Sequence, residues 1–167
     1  MHDQISALSD TDALSALRLV LYRMDLPADM DTLRSVQADL AKALEGASVP
    51  GLRPDSAASP GGLARATLGY LAEDPRSRDT VAWAMTNAAE PAERVEPLAA
   101  MVGALVYLAL RSELLIERDP KKGVTVRFHL KPIEGSHLRD LFSQLVGLFV
   151  NAQPGPENTP PNGPGRS

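Results

Sequence analysis

The chain has 167 residues, a formal net charge of −4 and no cysteine. Its length suits one compact domain with appendages, and it needs no metal or disulfide to hold a core. Without cysteine, disulfides, thiolate nucleophiles and thiolate-bound zinc are excluded. The acidic balance also argues against a nonspecific coat protein for nucleic acid.

Two helices are predicted in the first 46 residues. Ser9 or Thr11 can cap a helix over 10–24, and Gly46 is a stop signal for a second helix over 29–45. Each carries an apolar stripe at helical spacing, and we interpret the pair as an N-terminal α-hairpin. The stripes are Leu14, Leu17, Leu21 and Met24, then Met30, Leu33, Val36, Leu40 and Leu44.

A segment rich in Gly, Pro, Ser and Ala over 47–62 predicts a flexible linker. A second block begins near Leu63 with a helix over 63–72. Asp74 then resembles an N-cap followed by proline at the first helical position, which predicts a helix over 75–88. Trp83 in this helix is interpreted as a core residue.

The next helix contains thirteen uncharged residues, 98–110, and is predicted to end near Arg111. It is apolar nearly all round, as expected of a helix that others surround. A membrane-spanning helix needs roughly 20 apolar residues, so we predict a core helix and no membrane association.

An alternating segment follows a turn at Asp119–Gly123 and predicts a β-hairpin over 114–131. Gly135 and Ser136 precede a final helix to about Val150. The Pro- and Gly-rich stretch 151–167 has no core residues and is predicted to be disordered. The expected fold is mainly α, a helical bundle with one β-hairpin over 63–150, preceded by the α-hairpin; a degenerate winged-helix domain is the variant considered.

No convergent catalytic set is apparent in the sequence. His129, His137 and Asp140 lack the spacing of a metal-ligand pair, so we interpret the two histidines as surface residues. Ser136 beside His137 lacks a nucleophile elbow and is better explained as a helix cap. We therefore predict no enzyme activity, metal or cofactor.

A strip of basic residues runs along the predicted hairpin and has two interpretations. It could contact phosphates through sequence-independent, salt-sensitive interactions, or it could be a solvated edge whose lysines block strand-to-strand aggregation. The residues are Arg118, Lys121, Lys122, Arg127 and Lys131.

The runs 110–120 and 124–132 resemble the end of the third helix and the wing of winged-helix regulators. The resemblance implies DNA binding by the helix before the wing, through polar side chains that reach base edges. Here that helix is apolar and carries no charge until Arg111. If the fold is a winged helix, the resemblance implies that this helix is core or interface and that the module contacts protein.

The leading functional hypothesis is a non-catalytic interaction module, an adaptor or regulatory subunit of a bacterial cytoplasmic system. The terminus 1–10 lacks a signal-peptide pattern, and the arginine- and alanine-rich composition is typical of GC-rich bacterial genomes. The expected partner is another protein or a second copy, and the alternative is a winged-helix-like DNA-binding regulator. The predicted docking face is Leu138, Leu141, Phe142, Leu145 and Phe149, whose apolar stripe looks large for the mass available to cover it.

Overall fold

Seven helices and a pair of strands make up the part of the chain that the computed structural model describes. The helices are α1 (His2–Ser6), α2 (Asp10–Arg23), α3 (Met30–Leu44), α4 (Pro60–Glu73), α5 (Pro75–Asn87), α6 (Val102–Ala109) and α7 (Ser136–Asn151). The strands are β1 (Leu114–Asp119) and β2 (Gly123–Phe128). The described residues are 1–27, 29–44, 55, 57–88, 99–110, 114–119, 121, 123–128 and 136–151.

Three helix starts follow the same local rule, in which a side-chain oxygen accepts from a backbone N–H that has no partner within the helix. The Ser9 hydroxyl accepts from Asp12 N at the start of α2, as the sequence predicts. Asp74 accepts from Arg76 N at the start of α5, with Pro75 in the first helical position. Ser59 caps α4 in the same way and is also followed by proline.

Helix α2 lies at the centre of the core. Its residues 13–17 are all buried, so neighbours surround this part of the helix on every side. It packs chiefly on α4 and α5 and also contacts α6, while α1 rests on α4. Helix α6 is buried at every residue except Tyr107, which confirms the prediction of a core helix in this region. No helix of the described residues is long and apolar enough to cross a membrane.

The two helices predicted to form an N-terminal α-hairpin do not make their main contacts with each other. Helices α2 and α3 are consecutive in the chain, but α3 makes its main contacts with α6 and α7. Leu33 and Leu44 of α3 belong to the same core cluster as Leu17 of α2. Most of each apolar stripe is therefore buried against later helices of the chain, and Met24 is the exposed exception.

The predicted bundle with an integral β-hairpin also needs correction. Among the described elements, β1 and β2 pack on each other and neither packs closely on a helix. The strands β1 and β2 pair antiparallel with each other, with Leu114 opposite Phe128 and Asp119 opposite Gly123. The described helices therefore pack together as a bundle, and the two strands are not an integral part of it.

One helix begins earlier than the sequence predicts, and another is absent from the prediction. Helix α4 begins at Pro60, inside the segment 47–62 that is predicted to be a linker, and α1 was not predicted. The Asp55 backbone N–H donates to Ser143 O at 3.0 Å, so this point of the segment is attached to α7. Residues 45–54 and residue 56 lie outside the described residues, as does the predicted tail beyond Asn151.

Asp29 caps α3, and this contact makes a pH-dependent contribution to stability. Its carboxylate accepts from the Thr32 hydroxyl at 2.6 Å and from Thr32 N at 2.9 Å. These two hydrogen bonds hold the pKa of Asp29 below its usual value of 3.8, and the bond from the Thr32 hydroxyl has the larger effect. The stabilisation is fully present above that usual value and is lost as the pH falls through the lower folded-state pKa.

We expect Asp29→Asn to remove this acid dependence, because an amide oxygen still caps the helix but carries no titrating charge. The measurement is thermal unfolding of both proteins from neutral pH to below pH 3.8. The difference in melting temperature between them should shrink across the acid limb. A constant difference at every pH would contradict the assignment.

Candidate protein-interaction surface

The predicted docking face on α7 is part of the chain's own core. Leu141, Phe142 and Leu145 are 3%, 1% and 1% exposed. Phe149 is partly buried and packs against the same cluster, and the side chain of Leu138 lies outside the described set. In this conformation the three buried residues offer no surface to a partner, because α3, α4 and α6 pack on α7.

Phe149 borders a small apolar cavity of about 200 Å³ between α3, α6 and α7. Gln37 reaches this site from α3, and its Oε1 accepts from Ala104 N at 2.9 Å. Helix α6 has no side-chain cap of its own at Met101, so Gln37 satisfies one of its free N–H groups. A Cβ on Gly103 would lie 2.8 Å from the Phe149 ring, so a glycine is needed for this close packing.

The predicted basic strip is described only in part. Lys121 is exposed at the turn of the hairpin, while Lys122 and Lys131 lie outside the described residues. The strand register places Arg118 opposite Val124 and Arg127 opposite Leu115, so the two arginines are not cross-strand neighbours. The described residues therefore place one exposed lysine where a nucleic-acid contact was predicted.

The helix that precedes the hairpin offers little to a DNA groove. All described side chains of α6 are buried except that of Tyr107, which is half-buried. A groove-reading helix needs several exposed polar side chains at its surface. In this structure α6 performs the role of a core helix.

A cavity of about 260 Å³, lined by both polar and apolar residues, lies between α1, α4 and α7. His2 and Glu73 line it, with His2 Nε2 4.0 Å from Glu73 Oε1, and Asp140 borders it from α7. Both members of the pair are largely exposed. Among the described residues no group of three histidine or acidic side chains could hold a metal ion. The imidazoles of His129 and His137 fall outside that set.

Exposed aromatic and apolar side chains lie at the C-terminal end of α2. We call this surface the α2 tip and define it as Tyr22, Arg23, Met24 and Trp83. Tyr22 is 75% exposed and Met24 is 39% exposed, and in the described part of the chain Met1 is the one other large apolar side chain with comparable exposure. Trp83 of α5 is partly buried, and the Arg23 guanidinium lies 4.5 Å from the centre of its ring.

A tight turn holds the α2 tip in place. Asp25 has a positive φ of 56°, the left-handed conformation that ends many helices. Leu26 N donates to Leu21 O at 3.0 Å and Asp25 N donates to Tyr22 O at 3.1 Å, which together form a Schellman motif. Leu26 packs against the core beyond the turn. Tyr22 and Met24 are therefore exposed on a backbone whose hydrogen bonds are satisfied.

Sequence reasoning missed the α2 tip. The helical spacing placed Met24 on the buried stripe with Leu21, but the helix ends at Arg23 and Met24 lies beyond it. Trp83 does pack against the core, although one face of its ring carries Arg23. The available signal was the position of Tyr22 and Arg23 in the last turn of the helix, just before it ends near Asp25. Neighbouring elements cover the last turn of a helix less fully.

No protein-family model, curated protein or solved structure matches the chain.

Proposed function

We propose that the protein is a non-catalytic interaction module, an adaptor or regulatory accessory subunit, and that it binds its partner through the α2 tip. The observation that supports this function is the exposure of Tyr22 and Met24 on either side of an arginine stacked on Trp83. Tyrosine, tryptophan, methionine and arginine are the residue types that protein–protein interfaces enrich. Aromatic residues and arginine also dominate interface hot spots.

The α2 tip is held in a fixed conformation, which favours binding. Fixing mobile side chains costs roughly 0.5–1.5 kcal/mol each on association. The Arg23–Trp83 stack and the turn at Asp25 fix two parts of the surface before any partner arrives. The partner class is a second protein or a second copy of this chain.

Site-specific photo-crosslinking tests the proposal. The photoreactive residue p-benzoylphenylalanine replaces Tyr22, and in a matched control it replaces Ala38, an exposed residue of α3. In cells that produce the protein, irradiation should yield a discrete covalent adduct from position 22 and none from position 38. The adduct mass separates a homodimer from a second protein. Equal labelling from both positions, or none from position 22, would count against the α2 tip as an interface.

A further inference from the structure

Arg23 differs from the two described arginines that form ion pairs. Arg34 pairs with Asp31 at 3.2 Å, and Arg65 pairs with Asp10 at 2.7 Å. Arg23 is exposed and lies over an aromatic ring, and no carboxylate of the described residues forms an ion pair with it. This cation is therefore positioned by Trp83 and retains its capacity to bind an anion.

The centre of the Arg23 guanidinium lies 4.5 Å from the Trp83 ring centroid, and no described residue accepts a hydrogen bond from its N–H groups. All five N–H donors of a guanidinium lie along its planar edge, which is therefore available for hydrogen bonds to an anion. That edge matches the two oxygens of a carboxylate in a bidentate pair. A stacked arginine has also lost part of its rotational freedom before binding.

The surroundings of Arg23 favour one carboxylate over a dense cluster of anions. Asp25 follows two residues later and is exposed, and the C-terminal end of α2 carries the negative end of the helix dipole. Both repel additional negative charge. Tyr22 and Met24 provide apolar surface on either side of the cation.

We infer that the α2 tip binds an acidic segment of a partner protein, in which one glutamate or aspartate carboxylate lies in the fork of Arg23. Apolar residues beside that carboxylate contact Tyr22 and Met24. This inference rests on the proposed function and adds the chemistry of the partner to it.

Fluorescence anisotropy with defined peptides tests the inference. The probes are a labelled peptide with one glutamate flanked by leucines, the same peptide with glutamine, and the same peptide with phosphoserine. The glutamate peptide should bind the full-length protein about tenfold more tightly than the glutamine peptide, as expected of a charge-assisted bidentate contact. The phosphoserine peptide, with its larger charge, should bind less tightly than the glutamate peptide.

Substitutions at Arg23 separate charge from geometry. Arg23→Lys keeps the charge but removes the planar fork, so the preference for glutamate over glutamine should fall to about twofold or less. Arg34→Gln is the matched control, because it removes an exposed arginine of α3 and should leave the preference unchanged. Circular dichroism establishes that each variant is folded.

Three outcomes would overturn the inference. Equal affinity for the glutamate and glutamine peptides, lost in Tyr22→Ala, would retain the α2 tip as a binding surface and reject the carboxylate. Tighter binding of the phosphoserine peptide would assign the site to a phosphorylated partner. Absence of binding by all three peptides would reject the acidic segment, while the crosslink from position 22 decides the proposed function separately.

Discussion

Phe142→Ala is expected to lower the free energy of unfolding by about 3–5 kcal/mol, the usual cost of truncating a buried phenylalanine. The ring is 1% exposed and belongs to the cluster that α2, α4, α6 and α7 share. Its removal leaves a cavity that the surrounding helices can fill only in part. Urea denaturation followed by circular dichroism measures the change.

Tyr22→Ala is the control for Phe142→Ala, because it truncates an aromatic side chain that is 75% exposed. Its effect on stability should stay within about 0.5 kcal/mol. Comparing the two variants tells whether Phe142 acts in the core or in docking a partner. A Phe142→Ala protein of undiminished stability that fails to bind its partner would restore α7 as the interface and contradict the assignment to the core.

Gly61→Ala is expected to lower the free energy of unfolding by about 1–3 kcal/mol, as other overpacked sites do. Gly61 is buried at the start of α4, where an added Cβ would overlap the Asp10 side chain. Arg65 lies one turn later on the same face and pairs with Asp10 at 2.7 Å. The extra carbon would displace this ion pair and separate the starts of α2 and α4.

Gly69→Ala makes the same change two turns further along α4, but it should raise the free energy of unfolding. A Cβ there would meet the His2 ring at 3.8 Å, an ordinary contact. Alanine is about 0.8–1.0 kcal/mol more favourable than glycine inside a helix, so this variant should gain stability. Thermal unfolding of both variants beside the parent protein is the measurement. Similar changes in the two melting temperatures would refute the close approach at Gly61.

The helix starts show what local chemistry can predict. Residue type and position alone predict Ser9 or Thr11 as the cap of α2 and Asp74 as the cap of α5, and Ser9 and Asp74 accept the expected backbone hydrogen bonds. The information is local because an N-cap and its donor lie two or three residues apart. Ser59–Pro60 carries the same signature, but the two glycines after it favour a loop by propensity. The packing against Asp10 explains why a glycine is present at position 61.

The candidate interface could not be predicted, since exposure is a property of the whole fold. The stripe with Leu141, Phe142 and Leu145 looked too large to cover, yet several other helices bury it. Met24 continued the spacing of a buried stripe, yet the chain turns away just before the core would cover it. Periodicity identifies which face of a helix is apolar, but not which neighbour packs on it.

The sequence by itself determined where five of the helices lie to within a few residues, and that the segment around Leu105 is core. These properties follow from side-chain spacing and from capping over a few residues. Tertiary structure alone decided that α3 packs mainly on α6 and α7, that the α7 stripe is internal, and that Arg23 meets Trp83 across sixty positions of chain. Such pairings depend on how all the apolar faces can be buried together, which no short stretch of sequence specifies.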